Sequence, residues 1–234
     1  MNIVIPTLMI SPVEGLYYTL DTLTKSFLTT GIIIIDNSQY GLFSKWSRLT
    51  GVRFHEHPKV RVIENHSNRY VNPSWNQGLA ECFGDNTIIM NDDVFVCGEV
   101  IEQVSRVMDD NALCSVDTVQ AFSQEQYIER YNEKGYGTLR VSDRFPQDNN
   151  NKCGWFFCIN NDIWKDIPEE LKYFYGDDLI FDRARALGYT PKCITSCSIG
   201  HMGSQTVNKR PDIQEILKQE FKTYNRVKQE YIEL

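Results

Sequence analysis

Four consecutive isoleucines, Ile32-Ile33-Ile34-Ile35, stand between Gly31 and the turn-forming triplet Asp36-Asn37-Ser38. A β-branched run without polar alternation suits a strand buried on both faces, as in a parallel sheet covered by helices above and below. Related segments recur along the first half of the chain. Residues 2–9 read as a first strand ending near Pro6-Thr7, residues 60–63 as a third, and residues 87–90 as a fourth. Between them, residues 16–28 place Leu16, Leu20, Leu23 and Phe27 at helical spacing, and a second helix is expected around residues 75–83 after a polar loop over residues 64–73. This strand–helix–strand rhythm predicts an open α/β sheet with right-handed crossovers. Such sheets bind ligands at the carboxyl ends of their strands. Polar clusters stand at those ends here: Pro6-Thr7, Asp36-Asn37-Ser38 and Asn91-Asp92-Asp93.

The second half is less regular. A helix is expected over residues 99–108 and a strand over 114–119. Residues 124–151 are polar and tyrosine-rich and read as a variable loop region with one strand at 138–142. A buried strand at 154–160 and a helix at 179–187, closed by Gly188, follow. Asp212 with Glu215 reads as a capping box opening a long final helix. Its apolar stripe is Ile213, Ile216, Leu217, Phe221, Tyr224, Val227 and Tyr231, and Glu215, Glu220 and Glu230 read as a solvated, paired face.

With 234 residues, no internal repeat and no linker, the chain reads as one domain. Its formal charge is −7, and residues 206–234, with six Lys/Arg against five Asp/Glu, carry +1, which leaves −8 on the rest. Such a chain is not a nucleic-acid-binding polycation, and its acidity suits a site that meets a cation. No apolar run approaches the roughly 18 residues of a membrane span, and no signal peptide is read, so a soluble cytoplasmic protein is expected. The seven cysteines fit no zinc spacing and read as small buried hydrophobes in a reducing compartment.

Residues 86–96, NTIIMNDDVFV, set two carboxylates between two segments that belong inside. Buried unpaired charge is costly, and a divalent cation such as Mn²⁺ or Mg²⁺ would compensate it. A solvated turn or a salt-bridged pair is the alternative. A second pair, Asp177-Asp178, precedes a helix and suits either catalysis or capping. His201 lies in a glycine-flanked loop rather than on an apolar helix face.

Taken in order, strand–Pro6-Thr7, strand–Asp36-Asn37-Ser38, Trp75-Asn76-x-Gly78, strand–Asn91-Asp92-Asp93-Val94, an aromatic strand, Tyr175-Gly176-Asp177-Asp178 with its helix, and His201-x-Gly203-Ser204 resemble the nucleotide-sugar-dependent glycosyltransferases of the GT-A fold. The likeness is to glycosyltransferase family 2, in particular its rhamnosyltransferase-like branch, over roughly residues 2–206. It implies a single Rossmann-like GT-A domain with a mostly parallel central sheet flanked by helices and a C-terminal amphipathic helix. Residues 1–98 would form the nucleotide-binding half, 99–205 the acceptor and catalytic half, and 206–234 the final helix.

The resemblance also implies roles. Pro6 and Thr7 would line the nucleotide pocket, and Asp36 would hold the base or ribose. Asn91-Asp92-Asp93 resembles the metal-binding DxD motif, with Asn91 where the motif carries its first carboxylate. Asp93 would ligate Mn²⁺ or Mg²⁺, Asp92 would contact ribose or metal, and His201 would be a further metal or diphosphate ligand. Asp178 would be the general base of inverting transfer, with Asp177 its acidic neighbour. Trp155, Trp75 and Asn76 would line the substrate pocket. The expected donor is a nucleotide-sugar, UDP-linked by preference, carrying a hexose or pentose.

The acceptor expected is a glycan hydroxyl, with Tyr127, Tyr131 and Tyr136 suited to stacking on a ring. A hydroxylated nucleic-acid base, as in phage-type enzymes, is the alternative, using Lys209, Arg210, Lys218, Lys222, Arg226 and Lys228 as a basic face. A non-catalytic nucleotide-sugar-binding or interaction domain is a further reading. A sugar nucleotidyltransferase is disfavoured, because the loop after the first strand lacks its glycine- and basic-rich character.

Overall fold

The isoleucine run lies in the strand Gly31–Asp36, between two parallel neighbours. The computed structural model of the chain describes residues 1–10, 13–133, 138–143, 154–203 and 212–233. In chain order the strands are β1 (Asn2–Thr7), β2 (Gly31–Asp36), β3 (Val60–Glu64), β4 (Asn86–Met90), β5 (Val94–Phe95), β6 (Leu113–Gln120), β7 (Val141–Ser142), β8 (Phe156–Asn160) and β9 (Lys192–His201). The helices are α1 (Val13–Lys25), α2 (Leu42–Leu49), α3 (Val71–Leu79), α4 (Gly98–Met108), α5 (Gln124–Glu133), α6 (Gly176–Ala186) and α7 (Ile213–Ile232).

The nine strands of the described residues join one sheet in the order β3-β2-β1-β4-β8-β6-β9-β5, with β7 on β9. Pairing from β3 to β4 is parallel, as the sequence rhythm predicts. Beyond β4 the sheet is mixed: β8 is antiparallel to β4 and β6, β6 and β9 are parallel again, and β5 and β7 run antiparallel to β9, so the expected parallel arrangement is unbroken only from β3 to β4. The reason is topological. β4 and β6 point the same way, joined over α4, and β8 fills the gap between them in the opposite direction.

The side-chain alternation of each strand divides the core in two. Ile3, Ile5, Ile32, Ile34, Ile88 and Met90 face α1, α2, α4 and α5. Val4, Ile33, Ile35, Ile89 and Phe157 face α3, α6 and α7. The isoleucine run therefore has no polar face, because helices cover both sides. Gly78 of α3 allows the closest approach: a Cβ there would lie 2.3 Å from Val4 Cγ1.

Several boundaries differ from expectation. α3 begins at Val71 rather than near Trp75, because Pro73 sits in its first turn, where a missing N–H costs little. Neither α2 nor α5 is visible as a periodic apolar pattern. α2 is a short helix anchored by Phe43 with Trp46 partly buried beside it while Leu42 and Leu49 face outward, and α5 is anchored by Tyr127 and Tyr131 in an otherwise mostly polar stretch. Tyr127 and Tyr131 are buried, donating to the Ser198 carbonyl and to Glu99, so neither can stack on a sugar. Tyr136 lies outside the described residues. Of the cysteines, Cys114, Cys158, Cys193 and Cys197 are buried free thiols, as expected, and burial pushes Cys158 up to about 12.

The final helix also departs from its reading. Asp212 makes no side-chain cap. Phe221 is half exposed, whereas Glu220, placed on the solvated face by sequence, is 4% exposed. Among the described residues no helix is long and apolar enough to cross a membrane. α7 is tied to α6 by Asp182, which accepts from Lys228 Nζ at 2.6 Å and Tyr224 Oη at 2.7 Å.

Two outcomes test this packing. Gly78→Ala should destabilise the fold by about 1–3 kcal/mol in urea unfolding, the usual range for overpacking. Burial alone would raise the Asp182 carboxyl, but hydrogen bonds from Lys228 and Tyr224 and the charges of Lys228 and Arg185 hold it below its ordinary value. Its contribution is therefore complete above the unfolded value of about 3.9 and is lost as pH falls through the lower folded value. The stability gap between wild type and Asp182→Asn should be present at neutral pH and shrink as pH falls below about 4.

Candidate active site

The sheet reverses direction of growth at β1. The chain steps from β1 to β2 and β3 on one side, then crosses to β4 on the other. Pairing of β1 with β4 stops at Val4↔Ile89, while β1 stays on β2 as far as Thr7↔Asp36. Pro6, which has no N–H to give, comes after the β4 ladder has ended. A switch point of this kind leaves a crevice beyond the strands' carboxyl ends. Here the crevice is a cleft of about 350 Å³.

Ten of the residues singled out in the sequence line this one cleft. Pro6 and Thr7 end β1, Asn91, Asp92 and Asp93 form the β4–β5 turn, and Trp75 comes from α3. Trp155 precedes β8, Asp177 and Asp178 open α6, and His201 ends β9. The rim is tied together across the crevice: Thr7 Oγ1 donates to Asp92 Oδ2 at 2.5 Å. The two carboxylates of NTIIMNDDVFV thus have different surroundings. Asp92 bonds to the neighbouring strand end, and Asp93 is carried inward with β5.

Two of the expected residues are not in the cleft. Asp36 is fully buried and accepts backbone N–H bonds from Ser38 at 2.8 Å and Phe43 at 2.9 Å. Its oxygens hold the β2–α2 turn rather than a base or ribose, and its neighbour Asn37 lines the cleft instead. Asn76 clamps Ile167 by accepting from its N–H at 2.9 Å and donating to its carbonyl at 2.8 Å. That is a structural tie between α3 and the segment before α6.

Asp93 and His201 behave differently. β5 pairs with β9 so that Val94 faces His201, which brings the two side chains together. Asp93 Oδ2 lies 3.3 Å from His201 Nε2, and both residues are under 9% exposed. Yet Asp93 Oδ1 and His201 Nε2 are buried with no hydrogen-bond partner among the described residues. Buried polar atoms are nearly always satisfied, so these two, adjacent on the lining of one cleft and joined there by the unmatched Nε1 of Trp75, call for a missing partner. Trp155 fixes the imidazole plane: its ring stacks on His201 with centroids 4.9 Å apart and planes 11° apart, and its Nε1 donates to Thr118 Oγ1 at 2.9 Å.

One carboxylate and one imidazole suit a cation such as Mn²⁺, which accepts both oxygen and nitrogen ligands. Among the described residues, no group of three or more His, Cys, Asp or Glu is placed to hold a metal ion. A two-ligand site fits a cation that completes its shell with phosphate oxygens and water. Across the cleft, Asp177 and Asp178 occupy the first turn of α6, where the helix dipole favours negative charge. Gly154 makes room for the first of them: a Cβ there would lie 2.5 Å from Asp177 Oδ2.

Sequence reasoning missed the aromatic wall beside this pair. Tyr173, Phe174 and Tyr175 line the cleft, and Tyr70 meets Tyr173 edge-on at 5.0 Å. Tyr70 and Tyr175 hold positive φ of 66° and 62°, a conformation rare for such residues and concentrated at functional sites. The run Tyr173-Phe174-Tyr175 directly before the acidic pair was the available signal. The pairing with Tyr70, far off in sequence, left none.

Comparison with known proteins agrees with this architecture. Residues 3–167 match the family described as glycosyl transferase family 2. No curated protein matches the chain in sequence. Solved structures similar in fold include a mannosyltransferase from Pyrobaculum calidifontis in complex with GDP-Man and Mn²⁺, at TM-score 0.63 and 15% identity, covering 96% of this chain and 64% of that one. Residues 1–349 of S. aureus TarS match at TM-score 0.60 and 12% identity, covering 99% and 68% of the two chains. GalNAc-T7 with UDP, GalNAc and Mn²⁺ matches at TM-score 0.59 and 14% identity, covering 86% and 43%. The chain thus spans about two thirds or less of the length of these structures. With a match over most of its length and a GT-A fold shared with those structures, the chain belongs to glycosyl transferase family 2.

Proposed function

We propose that this protein is a metal-dependent, inverting glycosyltransferase that moves a sugar from a nucleotide-sugar, UDP-linked by preference, to an acceptor hydroxyl. The observation that carries the reading is the orphaned pair Asp93 Oδ1 and His201 Nε2, set across one cleft from Asp177-Asp178. Asp93 and His201 would hold Mn²⁺ or Mg²⁺, which when bound supplies neutralising charge for a departing diphosphate. Both the mannosyltransferase and GalNAc-T7 were solved with Mn²⁺ and donor components, which supports the choice of ion.

The remaining chemistry belongs to the chain. Pro6, Thr7 and Asn37 line the β1–β2 side of the cleft and would seat the nucleoside, with Asp92, hydrogen-bonded to Thr7, beside the ribose. Residues 1–98 act in this reading as the donor half and residues 99–205 as the acceptor half. An acceptor hydroxyl is a weak nucleophile until a base within hydrogen-bond reach takes its proton. Asp178, with Asp177 beside it, is assigned that role, on the side of the sugar opposite the leaving group. Buried Trp75 and partly buried Trp155, with the aromatic wall, would exclude water and offer flat faces to sugar rings.

A glycan is the acceptor this wall suits best. A hydroxylated nucleic-acid base would stack there too, but its phosphates need cations. On α7, Arg226 and Lys228 are already engaged with Glu170 and Asp182. Lys209 and Arg210 lie outside the described residues.

Thermal unfolding in the presence of UDP-, GDP- and TDP-sugars, with and without Mn²⁺, tests the reading. UDP with Mn²⁺ should stabilise the protein by about 2.7 kcal/mol at a hundred times its Kd. Asp93→Ala and His201→Ala should each abolish the Mn²⁺-dependent part. The absence of a shift with every nucleotide would remove the basis for the assignment. A second measurement addresses the base: Asp178→Asn should slow Mn²⁺-dependent hydrolysis of the preferred nucleotide-sugar by about 10²–10⁴-fold while leaving the Mn²⁺-dependent shift in place. Equal loss of binding and turnover would instead mark Asp178 as a donor ligand.

A further inference from the structure

The family match ends at residue 167, yet the wall and the acidic pair that close the cleft come after it. What holds them is a side chain from the last helix. Glu220 lies on the buried stripe of α7, between Leu217 and Tyr224, and is 4% exposed. Its carboxylate accepts from three successive backbone N–H groups. Oε1 takes Lys172 N at 3.1 Å and Tyr173 N at 3.3 Å, and Oε2 takes Tyr173 N at 3.1 Å and Phe174 N at 2.8 Å. Hydrogen bonds to an ionised acceptor are stronger than neutral ones, and three aligned N–H dipoles form an anion-binding nest.

The same segment is gripped from its other side by α3. Asn72 Nδ2 donates to the carbonyls of Leu171 and Phe174, and the N–H groups of Val71 and Asn72 donate to the Lys172 carbonyl. One residue beyond the nest, Tyr175 stacks on Tyr224 of α7 at 5.2 Å. The chain then enters α6, whose second and third residues are Asp177 and Asp178. Lys172 to Asp178 is thus a short, twice-clamped span with no room for slack.

From this the structure assigns Glu220 as a positioning residue for the proposed transfer. By fixing the backbone of residues 172–174 it sets the aromatic wall and the entry of Asp177-Asp178 into the cleft. The assignment rests on the transferase reading for its consequence, but not for the clamp itself. Glu220 touches no reacting atom. Its effect should appear in turnover and not in nucleotide affinity, since the proposed nucleoside side of the cleft is built from β1, β2 and the β4–β5 turn.

The test compares wild type, Glu220→Gln and Glu220→Ala as full-length chains. Gln keeps the side chain's shape and one acceptor oxygen, so it guards against simple misfolding. Three readouts are taken: amide hydrogen exchange, affinity for UDP with Mn²⁺, and Mn²⁺-dependent hydrolysis of a UDP-hexose. Exchange of amides 172–178 should speed by about tenfold or more in Glu220→Ala and less in Glu220→Gln, with β1–β4 unchanged. Nucleotide affinity should stay within about twofold, and hydrolysis kcat should fall by about tenfold. Combined with Asp178→Asn, Glu220→Ala should bring no further loss of kcat, because both act through one group. Unchanged exchange at 172–178, exchange that rises across the whole sheet, unchanged kcat, or additive losses would each overturn the assignment. A wild type that hydrolyses no nucleotide-sugar counts against the transferase reading, and the exchange result then decides by itself whether Glu220 holds the segment.

Discussion

The structure depends on where β1 and β4 stop pairing. Both strands are buried among apolar neighbours, and their ladder covers only Asn2–Val4 against Thr87–Ile89. Beyond it, the backbone of each must turn toward polar surroundings, because unpaired N–H and C=O groups cannot remain in an apolar core. Polar side chains therefore collect at this rim: Thr7, Asn37 and Asn91-Asp92-Asp93. The cleft is the space left by two strands that begin together and end apart, at the point where the order of the sheet reverses.

At that rim, similar side chains meet different fates. Asp36 and Asn76 are spent on structure, holding a turn and a connecting segment, while Asp92 bonds to a neighbouring strand end and still lines the cleft. Asp93 and His201 are close but leave buried atoms unmatched. Residue type does not separate these cases. What separates them is whether a partner stands within reach, and β5–β9 pairing, with Val94 opposite His201, leaves Asp93 Oδ1 and His201 Nε2 without a hydrogen-bond partner among the described residues. That unmet demand is what gives a metal–diphosphate reading its physical content.

The opposite wall is built on another principle. Tyr175, at positive φ, follows directly on a segment gripped by groups distant in sequence, Asn72 from α3 and Glu220 from α7. A helix that sequence pattern presents as a peripheral amphipathic cover thereby supports the cleft wall, with Leu217 reaching the cleft itself. The α6–α7 contact, sealed by Asp182, Tyr224 and Lys228, keeps that support in register.

Local pattern alone determined much of this protein. The isoleucine run required a sheet covered on both faces, the strand–helix rhythm gave its parallel half, and the polar strand ends marked the rim. These are legible because burial on both faces leaves a signal within a few residues. Ten of twelve expected site residues meet in the cleft, because strand ends in one sheet, and the helices packed across them, converge whatever their separation in sequence. Tertiary structure decided the rest: that β8 enters antiparallel, that α5 forms from a polar stretch, that Asp36 turns inward and that Glu220 is buried. Each depends on a partner far along the chain, and a carboxylate that faces water has the same local sequence as one that faces three backbone N–H groups.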